Sequence, residues 1–299
     1  MSDTPTILLH LGAHKTGTTS LQHNFARHRA VLRQHGVRFL GPGKPYPHLY
    51  SAFLRDPMRY VWNRETGLSG EQILARDAAA LAELDTVLAK NTDPWVVISN
   101  EFLALLPAPR LRLLRDYLAQ YGPVRAVYTY RELHGWMSSN TQEMAKSGLA
   151  TQPTPFEAAL KRISLFPQRI RDVFGPDATQ FLRFEDAAQS GICSLFLRSF
   201  GLPDFPTLGL TESRENVSIS APAVQALMAY NRAYPLGSAG RNAEEAARLK
   251  AMPGPKYSRE GFTDDEISLY AQAHAAAEAL GLRLVAPGLL PRRTAADPA

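Results

Sequence analysis

The chain has 299 residues, a hydrophobic fraction of 45% and a single cysteine. That length carries one large α/β domain or two small ones, with no need for disulfide or metal staples. The lone Cys193 excludes an internal disulfide and a cysteine-rich metal site, and its apolar surroundings, CSLFLRSF, read as core. A formal net charge of +5 suits an anionic partner, but Lys and Arg are scattered rather than blocked, against a nucleic-acid tail.

The first predicted strand is TILLHL, residues 6–11, with no basic leader before it. No stretch reaches the roughly 20 apolar residues that span a bilayer, so a soluble, cytoplasmic chain is expected. A Gly/Thr loop follows, then one helix pattern from Ser20 that Gly36 ends. GVRFL reads as a short second strand and GPGKPYPHLY as loop. Residues 70–91 carry a helix pattern, and PWVVIS is a continuous apolar run of a buried strand that leads into Asn100 and Glu101. PAPRLRLLRDYLAQYG is a helix with a glycine stop. VRAVYTY is a strand ending at Arg131, and HGWMSSNTQEMAKSG is the helix after it. ATQFLRFED supplies another strand. The remainder reads as helices and loops, with a loose tail from about residue 288. Short apolar runs alternating with amphipathic ones predict an α/β, P-loop-like three-layer fold. A central, mainly parallel sheet is flanked by helices, with a helical C-terminal third, all in one domain over residues 1–299.

The segment HLGAHKTGTTSLQ, residues 10–22, lies between strand and helix. Gly12 and Gly17 permit a tight turn and close backbone approach to a ligand. The following helix offers unpaired N–H groups and the positive end of its dipole at Thr18, Thr19 and Ser20. Lys15 adds a point charge, and the whole is an anion cradle suited to phosphate. The spacing of Gly12 and Gly17 matches a nucleoside-triphosphatase loop, GxxxxGK[ST]. Thr18, however, stands where that loop needs lysine, and the lysine sits two residues before the second glycine. His10 and His14 straddle a strand and a loop, so they do not form a helical metal pair.

HKTGTTSLQ resembles the 5′-phosphosulfate loop of the sulfotransferases that use 3′-phosphoadenosine 5′-phosphosulfate (PAPS), in the bacterial, carbohydrate-type branch. The resemblance implies that His14, Lys15, Thr16, Gly17, Thr18, Thr19 and Ser20 bind the donor nucleotide. It also implies a second anchor for the 3′-phosphate, an Arg at a strand end and a Ser eight residues later. Arg131 and Ser139 in YRELHGWMSSN match it, although Glu132 and Leu133 follow where the family places Asp or Asn and Pro. A guanidinium fork and a hydroxyl are what a phosphate dianion requires. Asn140, Gln142 and Lys146 resemble a polar helix face beside the nucleotide.

Lys15 is the candidate to stabilise the leaving group. Two residues are candidate bases for the acceptor hydroxyl. Glu101 follows a core strand in SNEFL, and His48 lies in the loop PYPHLY. A histidine titrates in the useful range unaided, whereas a glutamate is a weaker base unless its pKa is raised. Asn216 to Pro222, NVSISAP, resembles a late motif of the same branch and reads as a helix start. Lys256 and Arg259 form a late basic loop, a candidate for the 3′-phosphate. The function implied is sulfuryl transfer from PAPS to an acceptor hydroxyl, with no metal expected; the resemblance, and the lack of an obvious aromatic cluster in the sequence, tilt the acceptor towards a glycan or glycolipid. A nucleotide kinase or NTPase, or a non-catalytic nucleotide-binding protein, stands as the alternative.

Overall fold

Apolar runs and amphipathic stretches alternate along the chain as β1 (Thr6–His10), α1 (Thr18–Arg27), α2 (Arg29–Gln34), β2 (Val37–Leu40), α3 (Leu49–Ala52), α4 (Val61–Glu65), α5 (Gly70–Ala89), β3 (Trp95–Ser99), α6 (Ala108–Ala119) and β4 (Val124–Tyr130). They continue as α7 (Leu133–Lys146), α8 (Phe156–Ile163), α9 (Leu165–Phe174), β5 (Thr179–Arg183), α10 (Ala187–Ser190), α11 (Ile192–Arg198), α12 (Ala221–Ala233), α13 (Ala243–Lys250) and α14 (Asp264–Ala279). This computed structural model describes residues 4–41, 48–213 and 218–293. The sequence reads as one domain. The chain packs as two compact units, Met1–Tyr130 with Phe166–Arg214, and Arg131–Leu165 with Glu215–Ala299.

The first unit is α/β. Its five strands lie in the order β2-β3-β1-β4-β5, and every pair is parallel. β1 is central, between β3 (Leu8 opposite Val97) and β4 (Leu9 opposite Ala126). Ile7, Leu8 and Leu9 are fully buried, as expected for strands covered on both faces. Leu8, Val97 and Val127 share one core with Leu21 and Phe25 of α1 and Phe196 and Leu197 of α11. α6 buries Leu111, Leu114 and Leu118, the i, i+3, i+7 stripe of a helix packed on a sheet. The expected class, a central parallel sheet flanked by helices, is the class that forms. The chain reverses direction across the sheet on either side of β1, and ligands of open α/β sheets bind outside the carboxyl ends of strands at such a point.

The helix expected from Ser20 to Gly36 is two helices. His28, at φ −103° and ψ 17°, is the C-cap of α1 and the N-cap of α2. Part of GPGKPYPHLY is helical too, since Leu49 and Tyr50 open α3. Helices α8, α9 and α13 have no counterpart in the sequence reading.

The second unit is helical. Leu133 and Trp136 of α7 share a core with Phe156 and Ile163 of α8 and Tyr270 of α14. Ala145 of α7 packs with Val224 and Leu227 of α12 and with Tyr257. Ser220 caps α12 by accepting from Ala223 N at 3.1 Å, the helix start expected at that serine. Asn216 and Val217 of the motif before it lie outside the described residues. Residues 291–293 are tied to the unit: Phe262 N donates to Pro291 O at 2.7 Å and Arg293 N to Phe262 O at 2.9 Å. The rest of the expected loose tail, residues 294–299, lies outside the described residues.

Candidate functional site

The loop after β1 is held in a conformation that most residues avoid. Lys15 has φ 67°, the only non-glycine at positive φ among the described residues. Gly17 follows at φ 83° and is the N-cap of α1. Thr16 Oγ1 closes the turn by donating to Ala13 O at 2.5 Å. A Cβ on Gly12 would come within 2.5 Å of Thr18 Oγ1 and 2.7 Å of His10 Nε2, so this position admits glycine alone. No side chain caps the start of α1, and its first N–H groups have no intrahelical acceptors. Thr18 is 2% exposed. Its hydroxyl is buried and has no hydrogen-bond partner among the described residues. A buried hydroxyl left unmatched is costly, and an anion seated on the loop would match it. The loop thus fits a phosphate or phosphosulfate group.

Glu101 stands beside this loop. β3 ends at Ser99, and Asn100 Oδ1 accepts from Phe102 N at 2.9 Å, a local turn that carries Glu101 past the strand end. His14 Nδ1 lies 3.0 Å from Glu101 Oε1. Burial alone would raise the Glu101 pKa. The His14 hydrogen bond, with the charges of His14 and Lys15, outweighs it and holds the carboxyl below the usual range. The shift is thus opposite to the one that would strengthen a glutamate base, and Glu101 is a carboxylate throughout neutral pH.

Beneath the loop, His10 is fully buried. Its Nδ1 is 2.8 Å from Ser99 Oγ on β3 and its Nε2 is 3.0 Å from Thr129 Oγ1 on β4. Burial, only partly opposed by Glu101, pulls its pKa down to about 4, so the ring is neutral. It bridges three strand ends, and its carbonyl accepts from Asn100 N at 3.0 Å. Among the described residues, no group of three or more His, Cys, Asp or Glu is placed to hold a metal.

His48, the other candidate base, is half-buried before α3. Burial and Arg76 lower its pKa, while Asp77 opposes them. Its electrostatic neighbours are therefore the Arg76–Asp77 pair, and it is not among the groups that shift Glu101. Between these two candidates the chain assembles rings that no sequence motif marks. Tyr50 and Tyr60 lie 4.9 Å apart, and Phe102 lies 5.7 Å from Tyr50 and 5.2 Å from Tyr60. The His14 ring meets Phe102 edge-on at 4.8 Å.

The second unit carries the other expected anchor. Arg131 follows the last residue of β4, and its guanidinium lies over the first turn of α7, where a Cβ on Gly135 would meet Nε at 3.2 Å. Ser139 is one turn beyond Gly135, so Arg131 and Ser139 serve one helix face. The neighbouring Ser138 is committed elsewhere: its hydroxyl donates to His134 O at 2.8 Å and accepts from Arg259 N at 3.0 Å. No hydrogen bond engages the Ser139 hydroxyl among the described residues. Of the polar face expected beside the nucleotide, Asn140 donates to Thr154 at 3.0 Å, Gln142 accepts from Ile219 N at 3.0 Å, and Lys146 pairs with Glu143 at 2.9 Å. The late basic loop is docked rather than free. His134 Nε2 lies 3.0 Å from Arg259 O, and the Arg259 side chain covers Phe262 at 4.3 Å and pairs with Glu266 at 3.3 Å.

Among solved structures, the chain is similar to a sulfotransferase from Alicyclobacillus acidocaldarius. The two are 16% identical over 92% of this chain and 95% of that one, with a TM-score of 0.46. No protein-family model matches the chain, and no curated protein matches it.

The sequence singles out the loop, Glu101 and the Arg131–Ser139 spacing as candidates. It misses the Glu101–His14 pair, the buried bridge at His10 and the ring cluster. The apolar-run pattern located β1 and β3 but not their pairing as neighbours in the sheet. It held no signal for side chains from residues 50, 60 and 102 converging. Among the described residues, no helix is long and apolar enough to cross a membrane.

Proposed function

We propose that the chain, as one functional entity over residues 1–299, is a sulfotransferase that moves a sulfuryl group from PAPS to an acceptor hydroxyl of a glycan or glycolipid. The observation that carries this reading is the loop of residues 12–20: a left-handed Lys15, a glycine-only Gly12 and an unmatched buried Thr18 hydroxyl at an uncapped helix start, with Glu101 alongside. The resemblance of HKTGTTSLQ to a phosphosulfate loop supplies the donor's identity.

In this reading the backbone and hydroxyls of Thr16 to Ser20 hold the 5′-phosphosulfate. Arg131 and Ser139 hold the 3′-phosphate, and His14 orients Glu101. The acceptor oxygen forms a bond to sulfur as the bond from sulfur to the bridging phosphate oxygen breaks. The acceptor proton passes to Glu101, with His48 as the other candidate. Lys15 offsets the charge that develops on the departing phosphate. The reading carries the cytoplasmic setting and metal-free chemistry expected from the sequence.

One observation favours a magnesium–nucleotide reading. Glu101 follows the end of β3, a direct neighbour of β1, where a carboxylate reaches a metal beside a phosphate loop. Its contact with His14 Nδ1 argues the other way, because that oxygen is already engaged. Calorimetric titration with 3′-phosphoadenosine 5′-phosphate and with ATP plus magnesium separates the two. Binding of the bisphosphate, lost in Lys15→Ala and weakened in Arg131→Ala, is the expected result. Preference for magnesium ATP overturns the transfer reading.

A further inference from the structure

The ring cluster beside Glu101 is mounted with more care than surface aromatics need. Tyr50 belongs to α3 and Tyr60 precedes α4, two helices too short to hold themselves. A buried polar network fixes both to α5. Ser51, the residue after Tyr50, donates to Asp77. Asn63, one turn after Tyr60, donates to Ser51 Oγ at 2.6 Å and to Pro57 O at 2.8 Å. Arg76 closes the network on Asn63 Oδ1 at 2.8 Å and Asp77 Oδ1 at 2.7 Å. Ser51, Asn63 and Asp77 are all 3% exposed or less.

What this mount presents is half-buried and chemically mixed. Tyr50, Tyr60 and Phe102 are each partly exposed. Neither phenol has a hydrogen bond among the described residues, and neither hydroxyl is fully buried, so both are open to a ligand. Burial raises both phenol pKa values, and the Glu101 charge raises that of Tyr60 further. Both therefore stay protonated and able to donate. The rings meet at 42° to 72°, so their faces are turned to different sides. Phe102 is the residue after Glu101.

We propose that Tyr50, Tyr60 and Phe102 form the acceptor subsite, a stacking platform for the pyranose ring whose hydroxyl is presented to Glu101. A pyranose has an apolar C–H face for an aromatic ring and a rim of hydroxyls for hydrogen bonds. The patch supplies both, in three rings, two phenol donors and a carboxylate acceptor. A simple phenol needs an apolar slot with one polar contact and would leave these groups unmatched. This assignment rests on the transfer reading, and deepens it by naming what the acceptor stands on.

The test is ligand-observed NMR on the full chain without nucleotide, using methyl pyranosides, trehalose and cellobiose beside 4-methylphenol. Bisphosphate affinity is measured in parallel by calorimetry. Sugars are expected to bind, and Tyr50→Ala and Tyr60→Ala are expected to weaken them about 3- to 12-fold. Bisphosphate affinity stays unchanged. Tyr60→Phe keeps the ring, so it should weaken sugar binding less than Tyr60→Ala and guards against loss of fold as the cause. Three results overturn the platform: no sugar bound by the folded wild type, equal binding in the alanine variants, or the phenol bound ahead of every sugar. Sugar binding with no bisphosphate binding supports the platform and removes the transfer reading instead.

Discussion

His14 Nδ1 and Glu101 Oε1 meet at 3.0 Å, one from the loop after β1 and the other from just past the end of β3. Two segments some ninety positions apart thus present one hydrogen-bonded pair at the carboxyl edge of the sheet. The pair decides the charge of Glu101, because without His14 the effect of burial would be much less opposed.

That contact sets a pH signature. The proton-accepting form of Glu101 exists above its pKa and is lost as pH falls through it. With the pKa held low, the acid limb of kcat/KM should lie below the ordinary glutamate range. In His14→Ala the limb should move to higher pH. Glu101→Gln should lower kcat by about 10²- to 10⁴-fold with bisphosphate affinity kept. A limb unmoved in His14→Ala would remove the pair from the chemistry.

Gly12 and Thr18 make the loop testable without any acceptor. A methyl group at position 12 would sit 2.5 Å from Thr18 Oγ1 and 2.7 Å from the buried His10 ring. Gly12→Ala should cost about 1–3 kcal/mol of stability by overpacking and abolish bisphosphate binding. Thr18→Val removes the unmatched hydroxyl. It should keep or raise the melting temperature while weakening the bisphosphate, a divergence that thermal melts and calorimetry on one variant would reveal.

The two serines of α7 should separate by phenotype. Arg131→Ala is expected to weaken 3′-phosphoadenosine 5′-phosphate about 10- to 150-fold, the range for a hydrogen bond to a charged group, and to leave AMP unaffected. Ser139→Ala should show the same selectivity on a smaller scale. Ser138→Ala should instead lower the melting temperature, since it strips Arg259 N of its acceptor.

Much of this was legible in the chain. Three of the five apolar runs, GVRFL, PWVVIS and VRAVYTY, end where strands end, TILLHL overruns by one residue and ATQFLRFED by three, and the loop from Gly12, Glu101 and Arg131 each follow a strand terminus. Position along a strand is a local property, and in a parallel sheet it predicts which ends lie together. Other features depend on side chains meeting across sequence distance. The phenols of Tyr50 and Tyr60 converge because Asp77 and Asn63 hold two short helices down, and no period in the sequence encodes that. The break at His28 was hidden for a related reason. Its flanks are both good helix, and the turn there is made by the chain rather than by a glycine or proline.

His10 gives the last prediction. Its pKa falls to about 4 in the folded protein because the buried ring has no water to solvate a charge. The unfolded chain titrates near 6.5. Between these values the unfolded state binds the extra proton, so the contribution of His10 is complete above about pH 6.5 and is lost as pH falls towards 4. The span corresponds to a loss on the order of 3 kcal/mol. Denaturant melts from pH 7.5 to pH 4.5 should therefore show a steeper decline in wild type than in His10→Asn, which has no titrating ring. The variant should start from lower stability, because Ser99 Oγ and Thr129 Oγ1 would share a shorter partner. Equal slopes in the two proteins would mean that the acid sensitivity of the fold lies elsewhere.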